Sequence, residues 1–300
     1  MITSVRRITA ATAAVCALGA ALTACGTAAK APAAPRPAPS APSPAASRPP
    51  TLAPGPAGLT PVFKNGPRTG AKTVALTFDA DMTADEGNRA AAGERFDNPE
   101  LINTLRGLKV PATVFMTGRW ADEYPAEARA IGRDPQFEIA NHSYSHYAFT
   151  GDCYGLPTVS DDRMRSDVER AYTAFRKAGV PHPMPYFRFP GGCYDQKSLR
   201  ALAPAGVTAV QWDVVSGDAF ATDSDAVARQ VLDGVRPGSV VVMHCTRSAA
   251  PATERAVREV VPRLRAEGYR FVKVSELIGA SAKADAGAAA RGGGAAHTAR

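Results

Sequence analysis

His142 and His146, in the run His142-Ser143-Tyr144-Ser145-His146, can turn both imidazoles toward one metal ion. A carboxylate beside them would complete a two-His, one-carboxylate site with positions left for water and substrate. Asp79 and Asp81 are the candidates. If the chain stays extended past Phe78, residues two apart point the same way, so both carboxylates face one pocket. Asp85 and Glu86, in the loop that follows, are reserve ligands. The histidine spacing alone fits two surface residues equally well, so the segments around it must decide.

Those segments alternate in period. Residues 72–78 read as a strand with Val74, Leu76 and Phe78 on one face. Asp97, Asn98 and Pro99 start a capped helix that runs to about Gly107. Further strands are expected over 112–117, 137–141, 186–189, 207–212, 239–243 and 270–274. Between them lie a short helix over 126–131 and a long one capped by Ser160, with Met164, Val168, Tyr172 and Phe175 at helical spacing and Gly179 as its stop. Helical patterns also begin at Lys197, Ser224 and Thr253. This alternation predicts an α/β fold with a parallel sheet, open or closed into a barrel. Asp79, His142, Arg188, Asp213 and His244 all fall at or just past the carboxyl end of an expected strand, where such folds place their sites.

Five segments now stand in order: Thr77-Phe78-Asp79-Ala80-Asp81, His142 to His146, Arg188-Phe189-Pro190-Gly191-Gly192, Trp212-Asp213 through Asp218, and Val241-Val242-Met243-His244. The series resembles the motifs of the polysaccharide deacetylases, the NodB-homology family of carbohydrate esterase family 4, over roughly residues 72–278. The resemblance implies a single-domain, incomplete (β/α)7 barrel. It implies Asp79 as general base, oriented by Arg188, and His244 as general acid, held by Asp218. His142 and His146 would be metal ligands, with Zn²⁺ the first expectation and Co²⁺, Ni²⁺ or Mn²⁺ the alternatives. Gly191 would offer a backbone N–H to an oxyanion, and Trp212 or Tyr194 would stack on a sugar ring.

The chain departs from the family where Thr-Phe-Asp-Asp-Gly is usual: Ala80 replaces the second aspartate, so Asp81 is read as the displaced metal ligand. Gly191 stands where an aromatic is usual, Ala219 where a tryptophan is, and Val215 where an aspartate is common. These changes predict a wider, less aromatic site. Cys153 and Cys193 follow the second and third motifs, which the implied fold brings to one face, and they are expected to form a disulfide contributing roughly 3 to 4 kcal/mol. Cys245 is then an unpaired thiol.

Residues 1–24 read as a secretory signal: Arg6 and Arg7, an apolar run too short to span a membrane, and Leu22-Thr23-Ala24 before Cys25. That ending resembles a bacterial lipobox, which implies a lipid on Cys25 and a protein on the outer face of the cell membrane, facing the wall. Residues 25–58 are an Ala/Pro-rich linker able to reach on the order of 100 Å at ~3.1 Å per residue. Residues 59–71 form a lead-in, 72–278 the catalytic domain, and 279–300 an Ala/Gly-rich tail expected to be disordered. The formal charge of +7 resides in the signal, linker, lead-in and tail, which leaves the domain slightly acidic and without a basic footprint for nucleic acid.

The expectation is a monomeric, metal-dependent hydrolase that removes N-acetyl groups from an amino-sugar polymer, with peptidoglycan ahead of chitin-like oligomers. An O-acetyl esterase or a silent glycan-binding lipoprotein are the alternatives.

Overall fold

A computed structural model of the chain describes residues 48–293. The signal, Cys25 and most of the linker therefore lie outside the described residues. Among the described residues, nine strands form one parallel sheet: β1 (Val62–Phe63), β2 (Thr73–Ala80), β3 (Ala112–Met116), β4 (Phe137–Asn141), β5 (Tyr186–Phe187), β6 (Thr208–Val210), β7 (Val214–Val215), β8 (Ser239–His244) and β9 (Arg270–Phe271). Their order is β1-β6-β5-β4-β3-β2-β8-β7, with β9 joined to the start of β2. Seven strands from β6 round to β7 make the barrel wall, which is left unclosed between its two ends. This is the expected incomplete (β/α)7 barrel.

The helices are α1 (Gly87–Ala91), α2 (Pro99–Gly107), α3 (Gly118–Glu123), α4 (Pro125–Arg133), α5 (Met164–Ala178), α6 (Gln196–Leu202), α7 (Ser224–Gly234), α8 (Thr253–Ala266) and α9 (Val274–Gly293). Alternation along β2 sorts its side chains into two layers. Val74, Leu76, Phe78 and Ala80 join a buried cluster with residues of α2, α4 and α8, while Ala75 packs inside the barrel with Phe115, Ala140, Tyr186, Val210 and Val240. Val274, Leu277 and Ile278 of α9 close the far end of that inner cluster. Among the described residues no helix is long and apolar enough to cross a membrane.

Several expectations need correction. The lead-in is part of the sheet, because Val62 and Phe63 pair with Ala209 and Val210 of β6. The end of the linker also docks, since Tyr186 Oη donates to the Pro50 carbonyl at 2.7 Å and Leu52 packs on the inner cluster. The tail is not irregular from Gly279. It continues α9 to Gly293, as an alanine-rich segment with high helix propensity can do once its first turns are anchored. Val274 opens this helix rather than ending a strand. Ser160 caps nothing, because a 3-10 turn over Asp161–Arg163 separates it from α5. α3 was not anticipated; its start is made by Thr117, whose hydroxyl accepts from Trp120 N.

Glu127 of α4 is partly buried beside Asp97, and burial with that neighbouring carboxylate pushes its pKa up to about 7. Between pH 4.5 and 7 the folded protein then holds a proton that the unfolded chain has released, so Glu127 lowers stability as pH rises through this window. Glu127→Gln should flatten that fall and leave the variant more stable than wild type at pH 8. The gain should be about 1 kcal/mol, discounted for partial exposure, and urea denaturation at pH 5 and pH 8 measures it.

Candidate active site

Register places the two candidate proton-transfer groups side by side. Parallel pairing of β2 with β8 runs from Val74↔Ser239 to Asp79↔His244, so Asp79 and His244 are neighbours at the carboxyl end of adjacent strands. Arg188 follows β5 and His142 follows β4, and both side chains are fully or almost fully buried. Four of the five expected positions therefore share one end of the barrel. Asp213 does not. Its carboxylate accepts from Val240 N at 2.7 Å, Ser239 Oγ at 2.8 Å and Arg68 Nη2 at 2.8 Å, which fixes it at the start of β8, the opposite end. The strand expected to end there stops at Val210, and Asp213 instead leads into β7.

Arg188 organises the deepest layer. Its Nη1 donates to Asp79 Oδ1 at 2.6 Å and its Nε to the Val210 carbonyl at 3.2 Å, while the guanidinium lies 3.9 Å from the Phe115 ring centre and 5.3 Å from that of Trp212. Burial pushes its pKa down and Asp79 opposes the shift. Nη2 is buried without a partner among the described residues. The Arg188 carbonyl accepts from His142 Nδ1 at 2.9 Å. Because a carbonyl only accepts, Nδ1 carries the proton and Nε2 presents its lone pair 3.7 Å from Asp79 Oδ2. Burial lowers the His142 pKa to about 4, so this imidazole is neutral at physiological pH.

His146 and Asp81 lie nearer the opening. His146 Nε2 is 3.7 Å from Asp81 Oδ2, and the two histidine rings are 5.0 Å apart, centre to centre. Ala80 joins the outer apolar layer, so a carboxylate in its place would be buried among Leu76, Phe78 and Met116. Asp81 instead turns toward the histidines. Burial would raise its pKa, but His146, His244, the Thr246 hydroxyl and His142 hold it below the usual carboxylate value. Thr246 Oγ1 donates to Asp81 Oδ1 and accepts from Asp81 N at 3.1 Å. Neither reserve ligand is engaged: Asp85 is exposed, and Glu86 accepts from Thr83 N at 2.7 Å and Arg89 at 2.6 Å.

Two imidazoles and a carboxylate are the donor set a borderline divalent cation takes, and the fixed tautomer of His142 suits ligation. The 3.7 Å between His146 Nε2 and Asp81 Oδ2 matches two donors ~2.1 Å from one ion at a wide angle. Among the described residues no three such side chains form a finished cage as they stand. The contacts pair His142 with Asp79 and His146 with Asp81. His146 and Asp81, nearer the opening, can rotate toward the fixed Nε2 of His142, and by donor type and tautomer the three side chains fit a cation.

On the other side, Asp218 holds His244 through two contacts: Oδ1 to Nδ1 at 2.8 Å and Oδ2 from the backbone N at 2.7 Å. Ser216 Oγ and Thr253 Oγ1 satisfy its remaining lone pairs at 2.8 and 2.6 Å. Burial alone would lower the His244 pKa, but Asp218, with Asp81 and Asp79, raises it to about 10. The side chain remains 22% exposed, so it meets whatever occupies the mouth.

The third-motif loop is shaped by the disulfide of Cys153 and Cys193. Gly191 has φ +64°, and a Cβ there would lie 2.5 Å from Cys153 Sγ, which explains why no aromatic stands at this position. Its N–H is in the first turn of a 3-10 helix, where no intrahelical acceptor exists. Trp212 packs on Gly192 and walls the site, whereas Tyr194 stacks on Phe189 and belongs to the core. Cys245 is buried, free, and its thiol pKa is pushed up by that burial.

Sequence reasoning misses Asp167, Asn141 and Thr246. Asp167 Oδ2 accepts from Tyr144 N, Ser145 N and Ser145 Oγ at 3.0, 3.3 and 3.1 Å, and Asn141 Oδ1 accepts from Ser143 N at 2.8 Å. These bonds fix a loop in which Ser143 and His146 both take positive φ, at 66° and 57°. The only available hint was an acidic residue in the first turn of the long helix.

The family model for polysaccharide deacetylase matches residues 66–210. A chitooligosaccharide deacetylase of Sinorhizobium fredii is 31% identical over 67% of this chain and 89% of its own length. A peptidoglycan-N-acetylglucosamine deacetylase of Bacillus cereus is 27% identical over 69% and 88%. Among solved structures, a mutant of a family 4 pseudoenzyme of Bacillus anthracis, with restored enzymatic activity, aligns with a TM-score of 0.58 and 25% identity, over 76% of this chain and 72% of that one. The chain belongs to the polysaccharide deacetylase family.

Asp167→Ala should leave three donors of the histidine loop without their acceptor. It is expected to lose about 1 to 3 kcal/mol of stability and about 10- to 100-fold in Zn²⁺ affinity, read by thermal denaturation and chelator competition.

Proposed function

We propose that this protein is a metal-dependent N-deacetylase of an amino-sugar polymer. One observation carries the reading: Asp79 and His244 are register partners, and each has its own buried counter-charge, Arg188 and Asp218. A base and an acid kept in different protonation states is the requirement for amide hydrolysis near neutral pH. His142, His146 and Asp81 would hold the cation, with Zn²⁺ the preferred ion. Bound there, it supplies a Lewis acid and lowers the pKa of water.

Asp79 accepts the proton of the water that attacks the acetyl carbonyl, and Arg188 keeps its second oxygen turned away from the substrate. The Gly191 N–H faces the oxyanion that develops. His244, protonated through Asp218, gives its proton to the departing sugar amine, which leaves badly without it. The disulfide joins the loops that carry the second and third motifs. The short signal and Cys25 support export with a lipid anchor on the outer face of the membrane. A wall-facing tether favours peptidoglycan over chitin oligomers.

Acetate release from N-acetylated peptidoglycan and chitin oligomers should stop with chelator and return with Zn²⁺. His244→Ala should lower kcat by about 10² to 10⁴ on N-acetyl substrates and by less on O-acetyl esters, whose alcohol leaves more readily. Equal loss on both would overturn the role of His244. No release from any N-acetyl glycan with any metal would instead favour an O-acetyl esterase or a silent glycan-binding protein. Asp218→Asn removes the charge that raises the His244 pKa, so the alkaline limb of kcat should move to lower pH; an unmoved limb would mean that His244 is not the acid.

A further inference from the structure

We propose that Tyr154 and Phe220 form an aromatic platform that binds a sugar ring of the glycan next to the one undergoing deacetylation. The inference rests on the deacetylase reading for its substrate and on the structure for its place. Large apolar side chains are rarely left open to water together without a use. Tyr154 is 77% exposed and Phe220 84%, and with Val215 they are the large hydrophobic residues exposed among the described residues. Their ring centres are 6.3 Å apart with planes tilted by 39°, so the two rings make one continuous surface rather than a closed sandwich.

The platform adjoins the site from two directions. Tyr154 follows Cys153, and its ring carbon Cδ2 lies 3.4 Å from where a Cβ on Gly191 would be. Leu156, equally close to that point, lines a cavity of about 190 Å³ that also holds Asp81, His146 and Thr246. Phe220 comes two residues after Asp218, the carboxylate that holds His244. Positions 191 and 219 carry no ring of their own.

Both rings stand on rigid supports. The disulfide ties Cys153 to Cys193, and Asp218 is fixed by Ser216, Thr253 and the backbone of His244. A pyranose has one face of C–H bonds and a rim of hydroxyls. A fixed, exposed aromatic face receives the first while leaving the rim in water, at little cost in side-chain ordering.

The test compares N-acetylglucosamine monomer with its pentamer, using the full chain loaded with Zn²⁺. In Tyr154→Ala and Phe220→Ala the gain in kcat/KM from monomer to pentamer should shrink by about threefold to tenfold. Tyr154→Trp, which keeps a ring, should retain it. An unchanged gain in both alanine variants overturns the proposal. Should the wild type release no acetate at all, the deacetylase reading fails by itself, and pentamer binding by calorimetry then tests the platform. Weaker binding in the alanine variants would support it and equal binding would overturn it.

Discussion

The ion pair of Asp79 and Arg188 is the contact from which the rest of the site is set. A guanidinium with no exposed surface carries a large desolvation cost, and it is tolerated only because Asp79, the Val210 carbonyl and the Phe115 ring surround it. The same residue offers its carbonyl to His142 and thereby fixes which nitrogen of that ring faces the pocket. One buried arginine thus links Asp79, the tautomer of His142 and the junction of β5 with β6. Losing it would leave a carboxylate and an imidazole without orientation in a place too dry to repair them with water.

Where the chain departs from its family, packing accounts for the change. Ala80 lies in the outer apolar layer, so Asp81, one residue on, carries the carboxylate that reaches His146. The bond from Thr246 keeps Asp81 aligned and occupies one of its oxygens. Gly191 yields its side-chain space to the sulfur of Cys153, and the disulfide loop becomes the wall that an aromatic ring would otherwise make. The substitutions are therefore coupled: restoring a ring at 191 would collide with the disulfide.

The two ends of the barrel divide the labour. At the carboxyl end, the last residues of β2 and β8 and the first residues after β4 and β5 bring Asp79, His244, His142 and Arg188 together. At the other end Asp213, Arg68 and Ser239 tie β7 to β8, Glu138 accepts from Thr113 and Ser275, and α9 covers the core.

The sequence alone determined what depends on local chemistry and period. The alternation of strands and helices, the histidine pair, the carboxylates two apart and the motif order made the barrel and most of the site legible. Neighbours in the chain largely dictate strand, turn and helix. Tertiary structure decided what depends on partners far away in sequence. Asp167 reaches the histidine loop from a helix more than 20 residues on, Thr246 reaches Asp81 across 165 positions, and Asp213 points to the opposite end because β6 stops early. No pattern in one chain reports such contacts, since side-chain partners are chosen by register and packing, and these exist only once the sheet has formed.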